Sequence, residues 1–150
     1  MEYRKAVTAD LEQIAALEQA VFTDGWSIGG ILECLDREYR TLLVAAEADR
    51  VFGYLIAYQI LNEGEIMRVA VDPGMRRRGL GSGLLKAYFM LGSRIVLDAY
   101  SLEVRESNTA ARALYKRLGF AEEGRRARYY SDPVEDGLIM WRRESLTGKE

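Results

Sequence analysis

Val69-Ala70-Val71-Asp72-Pro73-Gly74-Met75-Arg76-Arg77-Arg78-Gly79-Leu80-Gly81-Ser82-Gly83-Leu84-Leu85 runs from an apolar segment through a turn into a basic, glycine-rich loop and an amphipathic segment. The order reads as strand, turn, loop and helix. Glycines leave backbone N–H groups uncovered, and the first turn of a helix adds unpaired donors and the positive end of its dipole. An anion can sit there without a dedicated side chain. Arg76, Arg77 and Arg78 add charge and direct phosphate contacts. The expected ligand is a phosphorylated cofactor. The stretch lacks the Gly-Lys-Ser/Thr ending of a nucleotide-triphosphate loop.

Working outward, apolar runs at 3–7, 41–47, 51–60, 65–71, 100–104, 121–126 and 137–142 read as strands. Ala48-Asp49-Arg50 joins the second and third as a hairpin. Leu11, Ile14, Ala15, Leu17, Glu18 and Val21 are spaced for one helical face, with Thr8 as the expected cap. Ser27 caps a second helix reaching about residue 36, weakened by Gly29 and Gly30. The helix opening at Gly79 or Leu80 either stops at Gly92-Ser93 or runs on, with Ile95-Val96-Leu97 extending the helix or the next strand. A fourth helix covers 108–118 and closes at Gly119. Tyr129, Tyr130 and Pro133 fall in the loop joining the last two strands. The order is βααβββαβαββ: one α/β domain over 1–150 with a mixed sheet and a polar, frayed tail from about residue 144.

Composition narrows the function. A chain of 150 residues, 49% apolar, is large enough for a core of its own. A net charge of -2 argues against a dedicated nucleic-acid binder. No run reaches membrane-spanning length and no signal-peptide pattern opens the chain, so a cytoplasmic protein is expected. Cys34 is the lone cysteine, and its place between Leu32 and Leu35 suits a small core residue. There is no histidine, which removes His-based triads and the commonest metal sites, and no metal is expected. Proton transfer falls to Glu, Asp, Tyr, Lys, Cys or water.

A second block supplies such groups. In Leu102-Glu103-Val104-Arg105 the strand period puts Glu103 on the face opposite Leu102 and Val104. Asn108 and Tyr115 lie nearly two helical turns apart, about 10 Å, on one face of the next helix. A carboxylate, an amide and a phenol can thus face one cleft. Each has a plainer reading, as a strand-end charge, an N-cap and a packing ring.

Arg76-x-x-Gly79-x-Gly81 resembles the acyl-CoA signature of the GNAT N-acetyltransferases. With Val69 to Pro73, Glu103-Val104-Arg105, Asn108, Tyr115, Leu118-Gly119-Phe120 and Arg126-Ala127-Arg128-Tyr129-Tyr130, the whole chain is similar to the RimI branch, enzymes that acetylate the N-terminal alanine of a ribosomal protein. The resemblance implies a GNAT fold, a mixed, mostly antiparallel sheet flanked by helices, with the fourth and fifth strands splayed. It implies acetyl-CoA as cofactor, with the pantetheine arm on Val69, Ala70 and Val71. The pyrophosphate would meet Arg76, Arg77, Arg78, Gly79, Leu80, Gly81 and Ser82, and Asn108 would touch the arm. It implies Glu103 as general base and Tyr115 as general acid, with direct transfer in a ternary complex.

The implied partner is a protein or peptide N-terminus, with the chain a monomer or weak homodimer. Trp26, Arg68, Tyr129 and Tyr130 are the candidate acceptor residues. Two departures bear on the acceptor: Gly25 stands where the branch usually has Pro, which loosens that loop, and Arg68 replaces a neutral polar residue. Residues 88–91 and 95–97 are more apolar than usual there, as core or as a subunit face. A small-molecule amine, a lysine acceptor and a non-catalytic CoA-binding module stay open as alternatives.

The chemistry is consistent with an α-amine. Its pKa near 8 leaves roughly a tenth neutral at pH 7, whereas a lysine amine near 10.4 is less available by over two orders of magnitude. A carboxylate acting through water then suffices as base, and a phenol can protonate the departing thiolate.

Overall fold

Alternating and continuous apolar runs form seven strands, in the spatial order β1-β2-β3-β4-β5-β7-β6. They are β1 (Glu2–Lys5), β2 (Arg40–Glu47), β3 (Arg50–Ile60), β4 (Glu63–Val71), β5 (Ala99–Arg105), β6 (Ala121–Tyr130) and β7 (Glu135–Arg143). The helices are α1 (Leu11–Val21), α2 (Ile28–Leu32), α3 (Leu80–Arg94) and α4 (Thr109–Arg117). This computed structural model describes residues 1–22, 25–35 and 37–144. The expected end of the second helix at residue 36 and the tail from 145 lie outside the described residues. The element order is the expected one, and β4–β5 is the parallel pair in an otherwise antiparallel sheet.

One face of the sheet is covered along its length. Leu43, Leu55, Tyr100, Leu102, Val104, Leu138 and Met140 pack there with Leu84, Leu85, Tyr88 and Phe89 of α3. Leu114 and Tyr115 of α4, with Leu118 just after it, close the other end of this layer. The opposite face is covered over half its width. Leu11, Ile14 and Leu17 of α1 and Ile31 of α2 bury Leu42, Val44, Val51, Tyr54, Ile56 and Ala70, residues of β2, β3 and β4 only. On that face β5 and β7 carry Ser101, Glu103, Ile139 and Trp141 without a helix above them. Burying a Leu such as Leu84 in the first layer is worth about 2–5 kcal/mol against an alanine.

Several local expectations change. Thr8 does not cap the first helix. Thr8–Asp10 is a 3-10 turn, and the buried Asp10 carboxylate accepts the Val7 N–H at 2.8 Å and two bonds from Arg4. Ser27 does cap α2, accepting the Gly30 N–H at 3.1 Å, but the helix stops at Leu32. Gly92 does not end α3; a methyl there would overlap the Tyr100 phenol, so the glycine is a notch for a core ring. The helix ends at Arg94, and Val96 turns in the left-handed region. Tyr88, Phe89 and Leu97 are core, while Met90, Ile95 and Val96 are exposed. Among the described residues no helix is long and apolar enough to cross a membrane.

Candidate functional site

The site begins with a fault in the sheet. β3 pairs Ile56 with Arg68 and Ala57 with Ile66, so Met67 is an extra residue, a bulge in β4. Parallel pairing between β4 and β5 runs from Glu63↔Ala99 to Ile66↔Leu102 and stops there. Beyond it, Arg68 to Val71 stay paired with β3, and Glu103 to Arg105 stay paired with β7. The two strands part, and the edge of β4 at Val69, Ala70 and Val71 turns its backbone groups to the gap. A ligand arm carrying amides can complete such an edge.

The phosphate end follows at once. The Asp72 carboxylate accepts the Gly74 N–H at 2.8 Å and closes the turn after β4. Arg76, Arg77 and Arg78 are exposed. Arg77 has φ +65° and Gly79 φ +80°, the left-handed region, and Gly79 is the N-cap of α3. A side chain on Gly79 would meet nothing within 4 Å, so its glycine serves the backbone angle and not the space. Leu80, Gly81 and Ser82 are the first turn of a 15-residue helix, with their N–H groups directed out of its end. Gap and loop together fit a ligand with an amide-bearing arm and a diphosphate, which is the chemistry of acetyl-CoA.

Across the gap, Glu103 is less than one-fifth exposed and ion-pairs with Arg126 at 2.5 Å. The same carboxylate, ahead of burial, raises the Tyr129 phenol pKa. Burial pushes Tyr130 up to about 12, with Glu103 and Tyr129 adding to the rise and Arg105 opposing it. Arg105 lies 4.6 Å from the Tyr130 ring centre. Burial likewise pushes Tyr115 up to about 12. Its phenol therefore stays protonated through the neutral range, as a proton donor must. Asn108 is the N-cap of α4, accepting the Ala111 N–H at 3.2 Å. That bond occupies Oδ1 and leaves the NH2 end for a ligand.

Tyr129 and Tyr130 are not in a loop. They end β6, which carries an irregularity between Arg126 and Tyr130 before rejoining β7 at Glu135. Arg128 takes φ +54° and its N–H is satisfied by the Asp136 carboxylate at 2.9 Å. Gly137 opposite makes room, since a Cβ there would stand 3.1 Å from Tyr129 and 3.2 Å from Tyr130. The turn proper is Ser131 to Val134. Pro133 marks that turn correctly but does not end the strand where its neighbours suggest.

Trp26 and Arg68 belong to a different cluster. Glu18 on α1 is fully buried and accepts from the Tyr54 O–H, from Arg68 Nε at 3.1 Å and from the Trp26 N–H at 3.0 Å. Arg68 also lies 3.9 Å from the centre of the Phe22 ring. Gly25 does not loosen this segment. A Cβ on it would sit 3.0 Å from the Glu18 carbonyl, so the missing side chain lets the chain lie against α1.

A cavity of about 360 Å³ lies on the open half-face beside the Glu103 cluster. Tyr58, Glu65, Glu103, Arg126 and Trp141 line it, and Trp26 reaches it through Tyr58, ring centres 6.4 Å apart. Sequence reading missed Tyr58 and Glu65, and left Arg126 without a role of its own. A period-two comparison of β3, β4 and β5 would have placed Tyr58, Glu65 and Glu103 on one face, given the strand register.

A model of the Acetyltransferase (GNAT) family matches residues 11–120. A Salmonella typhimurium protein named [ribosomal protein bS18]-alanine N-acetyltransferase is 38% identical over 136 residues, 89% of this chain and 90% of that one. A Bacillus subtilis protein, named as putative for the same activity, is 32% identical over 133 residues, 88% of each chain. Among solved structures, the ribosomal-protein-S18-alanine N-acetyltransferase of Escherichia coli superposes with a TM-score of 0.89. It is 30% identical, and the match covers 99% of this chain and 97% of that one.

Proposed function

This chain belongs to the GNAT acetyltransferase family, and from that premise we propose that it acetylates the N-terminal alanine of a ribosomal protein. The parting of β4 and β5 beside an open half-face that presents Glu103 is the observation that carries this reading. The full-length similarity to bS18-alanine N-acetyltransferases supports the choice of acceptor.

Bound acetyl-CoA would supply the activated acetyl group. Val69, Ala70 and Val71 would align its arm, Asn108 would touch that arm, and the loop from Arg76 to Ser82 would take its phosphates. Glu103 would accept the proton of the acceptor α-ammonium, directly or through water. Tyr115, kept protonated by its apolar surroundings, would donate to the departing sulfur. Tyr129, Tyr130 and Trp26 would border the acceptor chain, with Arg68 acting on that border through Glu18.

The test is transfer from acetyl-CoA to a peptide beginning Ala-Arg-Tyr, with Glu103→Gln and Tyr115→Phe alongside. Each substitution should lower kcat by about 10²- to 10⁴-fold while calorimetric CoA affinity stays at the wild-type value. Wild-type turnover in both variants removes the acid–base assignment. Turnover on lysine or small amines, with none on the peptide, removes the acceptor.

A further inference from the structure

Arg126 occupies the position beside Glu103 that an amine would need if Glu103 is the base. Its guanidinium lies 2.5 Å from the Glu103 carboxylate, on the wall of the cavity, and its own side chain is 58% exposed. The Arg126 guanidinium lies 5.5 Å from the Tyr129 ring, whose phenol pKa the same carboxylate raises. Glu103 therefore already has a cation before any amine arrives. An incoming amine must displace that guanidinium or share the carboxylate with it.

We infer that Arg126 is a specificity-determining residue that favours a positively charged amine over an uncharged one at Glu103. The inference rests on the reading of Glu103 as the base. An α-ammonium brings its own charge, so it can replace the guanidinium with no net change at the carboxylate. The Glu103–Arg126 contact breaks, the Glu103–ammonium contact forms, and the freed guanidinium moves into water, which its exposure already allows. The ammonium proton then passes to the carboxylate and the nitrogen lone pair is released for attack. An uncharged nucleophile offers nothing in exchange. It must separate the ion pair uncompensated or react without the base. The filter does not distinguish α-amines from lysine amines, since both arrive charged. That distinction falls to the cost of removing the proton.

Two acceptors decide the matter: an Ala-Arg-Tyr peptide with a free α-amine, and the same peptide ending in an aminooxy group, which is nucleophilic but uncharged at pH 7. Half-exposed ion pairs are worth up to about 1 kcal/mol, so Arg126→Ala should raise the aminooxy-to-amine ratio of kcat/KM by about fivefold. The KM of the amine peptide should fall, because nothing then competes for Glu103. Arg126→Lys keeps the charge and should keep the wild-type ratio. An unchanged ratio in Arg126→Ala, or a raised KM with a lower kcat, overturns the inference and makes Arg126 a support for Glu103. Thermal unfolding of each variant confirms a folded protein. Glu103→Gln separates the two failures. If it turns over like wild type, the base reading falls and this one with it. If it is slow and the Arg126→Ala ratio is unchanged, only Arg126 is misassigned.

Discussion

The proposed phosphate loop and the proposed acceptor face are built in opposite ways. The loop is one continuous segment, and its ligand groups are backbone N–H donors fixed by Gly79 and the start of α3. That face draws single side chains from five strands, Tyr58 from β3, Glu65 from β4, Glu103 from β5, Arg126 from β6 and Trp141 from β7. Two of those side chains satisfy each other: Glu103 meets Arg126. The lesson is that the cofactor end is specified by chain conformation, and the acceptor end by which side chains the sheet brings into register. Substitutions should therefore fail differently in the two places, by backbone strain in one and by loss of a particular partner in the other.

Glu18→Ala gives the largest expected break. Glu18 has no exposure and three partners, and it fixes Trp26 and Arg68 on the acceptor side. Removing one member of a buried ion pair costs about 3–5 kcal/mol, with the lower end expected because Arg68 is partly exposed. Urea unfolding should show that loss. In the folded fraction the acceptor KM should rise while CoA affinity changes by less than about twofold, a difference worth under 0.5 kcal/mol. An equal loss at both ends would mean that the two regions are one mechanical unit.

This division also explains what was legible before the fold was known. All eleven strands and α-helices could be read because each is a local pattern, and the loop from Arg76 to Ser82 could be read as a turn into a helix because that order is local too. Glu103 was placed on the correct face by strand period alone. Arg126 against Glu103 could not be read, since it depends on β7 lying between β5 and β6, and no local pattern states that order. Tyr129 and Tyr130 were misplaced for a related reason. Their strand survives an irregularity because Asp136, on the partner strand, satisfies the Arg128 N–H. Gly92 was one of two readings for the helix end and Gly25 was read as loosening a loop, yet both are close approaches whose partners, Tyr100 and Glu18, are remote or out of pattern.

Gly79→Val probes the loop where it should be most sensitive. The residue has φ +80° with open space around it, so a valine would fit but would strain the backbone by about 1–3 kcal/mol. If the strain is relieved by leaving the left-handed region, the first turn of α3 is re-aimed. The KM for acetyl-CoA should then rise about tenfold, the equivalent of 1.4 kcal/mol. The acceptor KM should stay unchanged, and the defect should be the same at low and high salt. A tenfold rise in the acceptor KM instead would show that the loop also shapes the amine end.

Arg76→Ala should have the smallest effect, and its salt dependence carries the argument. Arg76 is exposed, and a single exposed charge contact is worth about 0.2–1 kcal/mol. CoA affinity should fall by about two- to fivefold at low ionic strength, and the difference should shrink toward nothing near 1 M salt, where the screening length is about 3 Å. Conformation is not screened, so the Gly79→Val defect should survive in the same titration. An Arg76→Ala loss larger than that of Gly79→Val, or one insensitive to salt, would mean the arginine forms a fixed, desolvated phosphate contact. The loop would then resemble the acceptor face, and side-chain pairing would specify both ends of the cleft.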